Sequence, residues 1–350
     1  NYKAALRATY SSGPLKHNWY VATQLAFRFS PYTERKGQIG EGIDYYSLGY
    51  FITAEKRWER DQLSIITFGA PTSRGQSGAV TQEVYNLTNQ YNKNQWGWNN
   101  YNPYWGYQNG KMRNSRIVHS FDPTLLVSYK HTLNEKQTIH AAVGYHYSLY
   151  SNSALSFYNA PDPRPDYYRN LPSFLWDGQL TENGDFIHTD YAGRPLGKTD
   201  GDGLLEDPAS YNGTGIGHSI DYNSYKALTD LWTSRDDKAT QIDWEALYLA
   251  NYANNHTNPE GSARYIVERR HNDIQEAAAS FRYTDVQFNH LRIIAGAEVK
   301  YSEGDHYKTI DDLLGGKQWI GFVPRCLGNR AAIVRDAVPH DVQCLPCLGE

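Results

Sequence analysis

The residues able to do chemistry are few and poorly assembled. All three cysteines, Cys326, Cys344 and Cys347, fall in the last 25 residues of a 350-residue chain. "CLPC" (344–347) has the C-x-x-C spacing of redox and zinc sites, but no second pair supplies the two further ligands a zinc ion needs. "DGDG" (200–203) offers Asp200 and Asp202 as calcium candidates. It lacks the later ordered carboxylates of an EF-hand, Glu206 and Asp207 being merely nearby, so a polar Gly-rich turn is the simpler reading. The twelve histidines are scattered, and His140, His146 and His290 fall on the polar side of alternating segments, which suits a lining role better than metal ligation. No nucleophile elbow joins the Ser, His and Asp residues. Neither an enzyme nor a resident cofactor is expected.

Two aromatic stretches are more informative. "WGWNNYNPYWGYQNG" (96–110) sets Trp96, Trp98, Tyr104, Trp105 and Tyr107 among Asn, Gln and Gly. Such a mixture suits stacking on sugar rings or wrapping a peptide. It equally suits packing of a long loop that must find its own core. "YNAPDPRPDYYRNLP" (158–172) contains four prolines, so neither helix nor paired strand runs through it. Arg164 and Arg169 are placed to pair with Asp162 and Asp166, and Tyr167 and Tyr168 to anchor the turn, as a brace first and a ligand contact second. A short helix is expected within 218–235.

The elements holding these stretches are strands. Period-two alternation recurs in segments of about nine to thirteen residues. In Tyr2–Tyr10, Tyr2, Ala4, Leu6, Ala8 and Tyr10 oppose Lys3, Ala5, Arg7 and Thr9. Trp19–Phe29 repeats the pattern, with Thr23 the polar exception on its apolar side. Further strands are expected at 43–57, 62–70, 116–130, 138–147, 241–251, 263–270, 276–285 and 290–302, about ten in all.

Strand length separates two architectures. Globular strands average about five or six residues, whereas a tilted spanning strand needs about nine to eleven. Trp19 and Phe29 lie roughly 33 Å apart along a strand, or about 25 Å in height at a barrel's tilt, the separation of two aromatic girdles. Short links (11–18, 58–61, 132–137, 286–289) alternate with long ones (30–42, 70–115, 148–240), which gathers long loops at one end. A short link at 271–275 is the exception. A soluble sandwich or propeller would show shorter strands, less lopsided loops or a fixed repeat.

Composition agrees. Tyrosine supplies 29 residues and tryptophan nine against one methionine, with a mean hydropathy of -0.69, fitting half-exposed strands better than a thick aliphatic core. A net charge of -4 without a basic stripe provides no footprint for nucleic acid. No apolar run is long enough for a spanning helix, which says nothing against a β-barrel. Scarce cysteine suits an exported protein.

Several stretches resemble the barrel of TonB-dependent outer-membrane receptors, in particular the large nutrient importers of Gram-negative anaerobes. They are "TFGAPTSRGQS" (67–77), "YNPYWGYQNGKMRNSRI" (101–117), "YNAPDPRPDYYRNLPS" (158–173), "YIVERRHNDIQE" (265–276) and "DHYKTIDDLLGGKQWI" (305–320). The resemblance covers residues 1 to about 320 and implies an all-β, antiparallel transmembrane barrel of about 22 strands. Such receptors sit in the cell outer membrane and take up a glycan, peptide or chelated nutrient among extracellular loops. They are energised by the TonB complex through an N-terminal plug, and the resemblance permits a surface lipoprotein lid. On this reading the chain is a fragment without the plug, unable to transport alone. The competing classes are a secreted or surface β protein that binds ligand and a passive porin. The resemblance stops near 320, and the tail at 321–350, free of tyrosine and of strand pattern, reads as frameshift-derived or unstructured.

Overall fold

The computed structural model describes residues 3–32, 41–88, 100–157, 159–175, 178–180, 186–188, 222–288, 291–323 and 330–335. The chain opens with β1 (Ala4–Ser11), β2 (Trp19–Ser30), β3 (Tyr45–Arg57), β4 (Asp61–Gly69), β5 (Thr72–Gly75) and helix α1 (Gln82–Thr88). It continues through β6 (Trp105–Gln108), β7 (Lys111–Asn114), β8 (Ile117–Phe121), β9 (Thr124–Asn134) and β10 (Gln137–Phe157). The short β11 (Gly178–Leu180) and β12 (Phe186–His188) precede helices α2 (Tyr222–Ser234), α3 (Asp237–Thr240) and α4 (Trp244–Thr257). Last come β13 (Tyr265–Phe288), β14 (Leu291–Asp312), β15 (Gln318–Val323) and β16 (Arg330–Arg335).

Ten strands form one antiparallel sheet along the path β1-β2-β3-β4-β9-β10-β13-β14, with β5 bonded to β3 and β8, and β8 also to β10. β5 therefore prolongs β4, and β8 leads into β9, each crossing interrupted beside a proline. Leu48 N–H donates to the Pro71 carbonyl and Tyr147 N–H to the Pro123 carbonyl, both at 3.1 Å. The ladder thus uses proline where it needs an acceptor and no donor.

Sequence and structure agree closely through β4 and then part in instructive places. The segment 241–251 is not a strand; it enters α4, whose N-cap Asp243 accepts a hydrogen bond from Ala246 N–H. The segments 263–270 and 276–285 are one strand of 24 residues, so the link at 271–275 does not exist. Expected strand 116–130 is divided into β8 and β9, and 138–147 and 290–302 run on to Phe157 and Asp312. The tail contributes β16, paired with β15. With the spurious link removed, the turns joining β1 to β2, β3 to β4, β9 to β10 and β13 to β14 all lie at one end, and the long connections at the other.

Register gives the sheet two faces. Direct cross-strand partners share a face, so Val21, Ala54, Ile65, Val127, Val143, Ala279 and Val299 form one continuous apolar row. The adjoining row runs Trp19, Lys56, Leu63, Tyr129, Ala141, Phe281 and Ala297. Aromatic residues border this face: Phe29, Tyr46, Tyr145 and Tyr301 towards the loop end, Tyr10, Trp19, Tyr129 and Tyr283 towards the turn end. Among the described residues nothing covers it. Leu25, Ile52, Val143, Phe281 and Val299 are all exposed, Val299 by 67%, although covering each such side chain is worth roughly 1.5–3 kcal/mol.

The opposite face is the more polar of the two, although it also carries the pairs Phe51–Phe68 and Ile66–Leu126, and Ile294. One row reads Tyr20, Glu55, Ser64, Ser128, Ala142, Ser280 and Glu298, and the next includes Lys130, His140 and Arg282 on neighbouring strands. Lys300 pairs with Glu276 at 2.8 Å, and His146 lies 3.7 Å from the same carboxylate. His140 and His146 thus take the polar-face positions expected of them; His290 lies outside the described residues. Among the described residues, the outer edges of β1 and β14 have no partner strand in the sheet, and no helix is long and apolar enough to cross a membrane.

Candidate ligand-binding site in the long loops

The long connections build a structured canopy over the loop end. Its first core joins Val84 of α1, Tyr101, Leu171 and Trp232 of α2, all buried. The rings of Tyr101 and Trp232 meet at 5.7 Å, and the Trp232 indole N–H donates to the Asn170 carbonyl at 3.3 Å. A second core joins Ile242, Trp244 and Leu247 to Tyr265 and Val267 of β13 and to Leu314. It docks α4 against the rising end of the sheet.

Polar clamps lock the three long connections together. Arg235 donates from one Nη to both oxygens of Glu41, at 2.7 and 2.8 Å, with side chains only 6% and 1% exposed. Asn102 Nδ2 donates to the Glu41 carbonyl, and Asn114 Nδ2 to the carbonyls of Gly42 and Gln76. Asn251 holds α4 down. Its Nδ2 faces the carbonyls of Tyr265, Leu313 and Leu314, while its Oδ1 accepts from the N–H groups of Arg264 and Tyr265. Arg113 reaches Asp312 at 2.7 Å and stacks on Trp244.

Burial sets the electrostatics of this layer. It pushes the Tyr101 phenol well above its ordinary value, with Asp166 and Glu41 adding to the effect. The phenol accordingly stays a donor, to the Thr240 carbonyl at 2.7 Å. Burial also raises the Asp166 carboxyl, against the opposing pull of Arg164, and Asp166 Oδ1 is buried with no hydrogen-bond partner.

The expected site residues separate into packing and surface groups. Trp105 is 0% exposed, wedged so closely against Gly42 that its ring leaves no room for a Cβ there, and its carbonyl accepts from Ile242 N–H at 3.0 Å. Tyr107 sets its ring edge-on to Trp105 at 5.5 Å, and Tyr104 is stacked by Arg116 at 4.8 Å. These three belong to the canopy's internal packing. Trp96, Trp98, Asp200 and Asp202 lie outside the described residues. Among the described residues no cluster of three or more His, Cys, Asp or Glu is arranged to hold a metal ion.

The proline-rich segment is a brace at one end and a presented surface at the other. Arg164 pairs with Asp162 at 2.6 Å, as its spacing suggests. Arg169 does not pair with Asp166. Its Nε donates to the Tyr168 hydroxyl at 2.9 Å, and its guanidinium lies over the rings of Tyr168 and Phe174 at 5.6 and 5.9 Å. Tyr167 and Phe174 both meet Tyr168 edge-on, at 4.7 and 5.6 Å. Tyr168 remains 52% exposed. Phe174 is the member of this cluster that sequence reasoning missed; its place two residues beyond the proline-broken run 158–172 carried no periodic signal.

No family profile matches the chain, and no characterised protein sequence matches it. Among solved structures, the siderophore receptor PiuA from Acinetobacter baumannii aligns with 88% of the chain at 9% identity and a TM-score of 0.33. The chain spans 45% of that receptor's length, and no ligand or partner is carried over from it. What the structure itself defines is an all-β, antiparallel protein whose one large sheet carries a helical loop canopy at one end.

Proposed function

We propose that this chain is part of the wall of an outer-membrane β-barrel, that of a TonB-dependent nutrient receptor of a Gram-negative bacterium. The observation that carries the reading is the uncovered apolar face, continuous across eight strands and bordered by aromatic residues at both ends, set back to back with a polar face. In water such a face would drive aggregation; in a bilayer it meets acyl chains while the polar face lines the lumen. The canopy then lies outside the cell, where its surface takes the ligand. It has no catalytic role in this reading, and import energy comes from the TonB complex through a plug in the complete receptor.

Deletion of the intact gene, followed by growth on a panel of glycans, peptides and chelated nutrients as limiting sources, tests the proposal. Loss of growth on one of them, restored by the gene and abolished again without TonB, is expected. Unchanged growth on every source contradicts it, and TonB-independent uptake makes the protein a passive porin instead.

A further inference from the structure

The Arg169 cluster has a property that packing does not require. The rings of Tyr168 and Phe174 lie beneath the guanidinium, and its Nε donates to the Tyr168 hydroxyl. Among the described residues no carboxylate lies within ion-pair distance of Arg169, whereas Arg164 five residues earlier is matched by Asp162. Among the described residues its two Nη groups point no proton at an acceptor, while the Nε bond and the two rings already restrict the side chain and so reduce the freedom that binding would take from it.

We infer that Arg169, Tyr168 and Phe174 form a recognition site for a carboxylate carried on a ring-shaped body, a deepening of the receptor reading above and resting on it. The guanidinium fork takes both oxygens of the carboxylate. The exposed Tyr168 ring stacks on the adjoining ring, and Tyr167, edge-on behind it, keeps Tyr168 from turning away. Uronic acids and aromatic carboxylic acids share this chemistry, and the experiment separates them. The paired brace at Arg164 and Asp162 is not part of the site; it fixes the turn that presents it.

The test is calorimetric titration of the intact receptor, purified in detergent, with three probes: a galacturonic acid trimer, 3-phenylpropionate and a neutral galactose trimer. One of the two acids is expected to bind at least tenfold more tightly than the neutral trimer, and which one does so identifies the body. Arg169→Ala should weaken that acid at least tenfold and leave the neutral probe unchanged. Arg169→Lys, which keeps the charge but not the fork, should recover only part of the loss. Equal affinity for acids and neutral trimer, no binding of either acid, or full acid binding by Arg169→Ala overturns the site. These titrations do not involve transport. A receptor that imports its nutrient yet fails them loses only the carboxylate site, whereas a gene whose deletion changes no growth loses the receptor reading whatever the titrations give.

Discussion

Arg235 and Glu41, 194 residues apart in sequence, meet in a sealed ion pair at 2.7 and 2.8 Å that ties the third long connection to the first. Arg235 adopts a left-handed backbone conformation to do so, with φ of +56°, and its guanidinium lies over the Tyr101 ring at 5.6 Å. Removing one partner leaves the other charge buried and unmatched, which costs about 3–5 kcal/mol. Glu41→Gln and Arg235→Met are each expected to open the canopy to limited proteolysis within α2 and α3 while leaving the sheet folded. Canopy resistance equal to the wild type in both variants contradicts the assignment.

Asn251 makes a sharper case because its replacement can be nearly isosteric. Asn251→Asp keeps the shape but loses the donor that faces three carbonyls. It should therefore destabilise the docking of α4 as much as Asn251→Ala, by at least about 2 kcal/mol. Hydrogen exchange at residues 263–266 and 313–316 measures this; protection preserved in the aspartate variant would show that the carboxamide is not the clamp.

Asp166 gives the canopy a pH dependence whose sign is fixed. Burial raises its folded value above the ordinary carboxylate value, so its favourable contribution is complete below that ordinary value and is lost as pH rises through the raised one. Above that window the ionised, half-buried carboxylate opposes folding of the loop. Asp166→Asn should thus be more protease-resistant than the wild type at neutral pH and no better at acid pH. A variant less stable at neutral pH would mean that the carboxylate has a partner in the folded receptor.

The two faces of the sheet should respond oppositely to the same substitution. Val143 lies in the middle of the apolar face and is exposed, and an arginine there costs about 2–4 kcal/mol in a bilayer. Ser128, on the polar face of the neighbouring strand, should accept arginine with little loss. Heat-modifiability of the intact receptor on gels reads both; equal effects would deny the faces their different surroundings.

The fold was legible wherever one face of a strand meets an apolar phase and the other a polar one. β2 and the lower part of β14 alternate cleanly for that reason. Where β13 rises beyond the apolar band, both faces meet polar partners: Arg269 pairs with Asp311, Lys308 with Glu268, and His271 stacks on Tyr307 at 4.4 Å. The alternation vanishes there although the strand does not, and "ERRHND" mimics a link. Ile242, Trp244, Ala246, Tyr248 and Ala250 alternate too, yet Trp244, Leu247 and Asn251 bury at helical spacing. The Asp243 cap was the readable sign that helix would win. At the site, spacing found the Arg164 pair but not the stacking of Arg169, because an aromatic face competes for a guanidinium without leaving a charge pattern.

The central claim is that the apolar face lies in lipid, and spin labels placed singly along β14 test it most directly. With the native cysteines replaced, positions 293, 295, 297 and 299 and positions 294, 296, 298 and 300 are labelled in turn in the intact receptor in native membranes. Collision with oxygen, which concentrates in lipid, and with a water-soluble nickel chelate should alternate residue by residue, the odd positions favouring oxygen and the even positions nickel. Equal access of the chelate to both sets would place this face in water and remove the basis for a membrane wall.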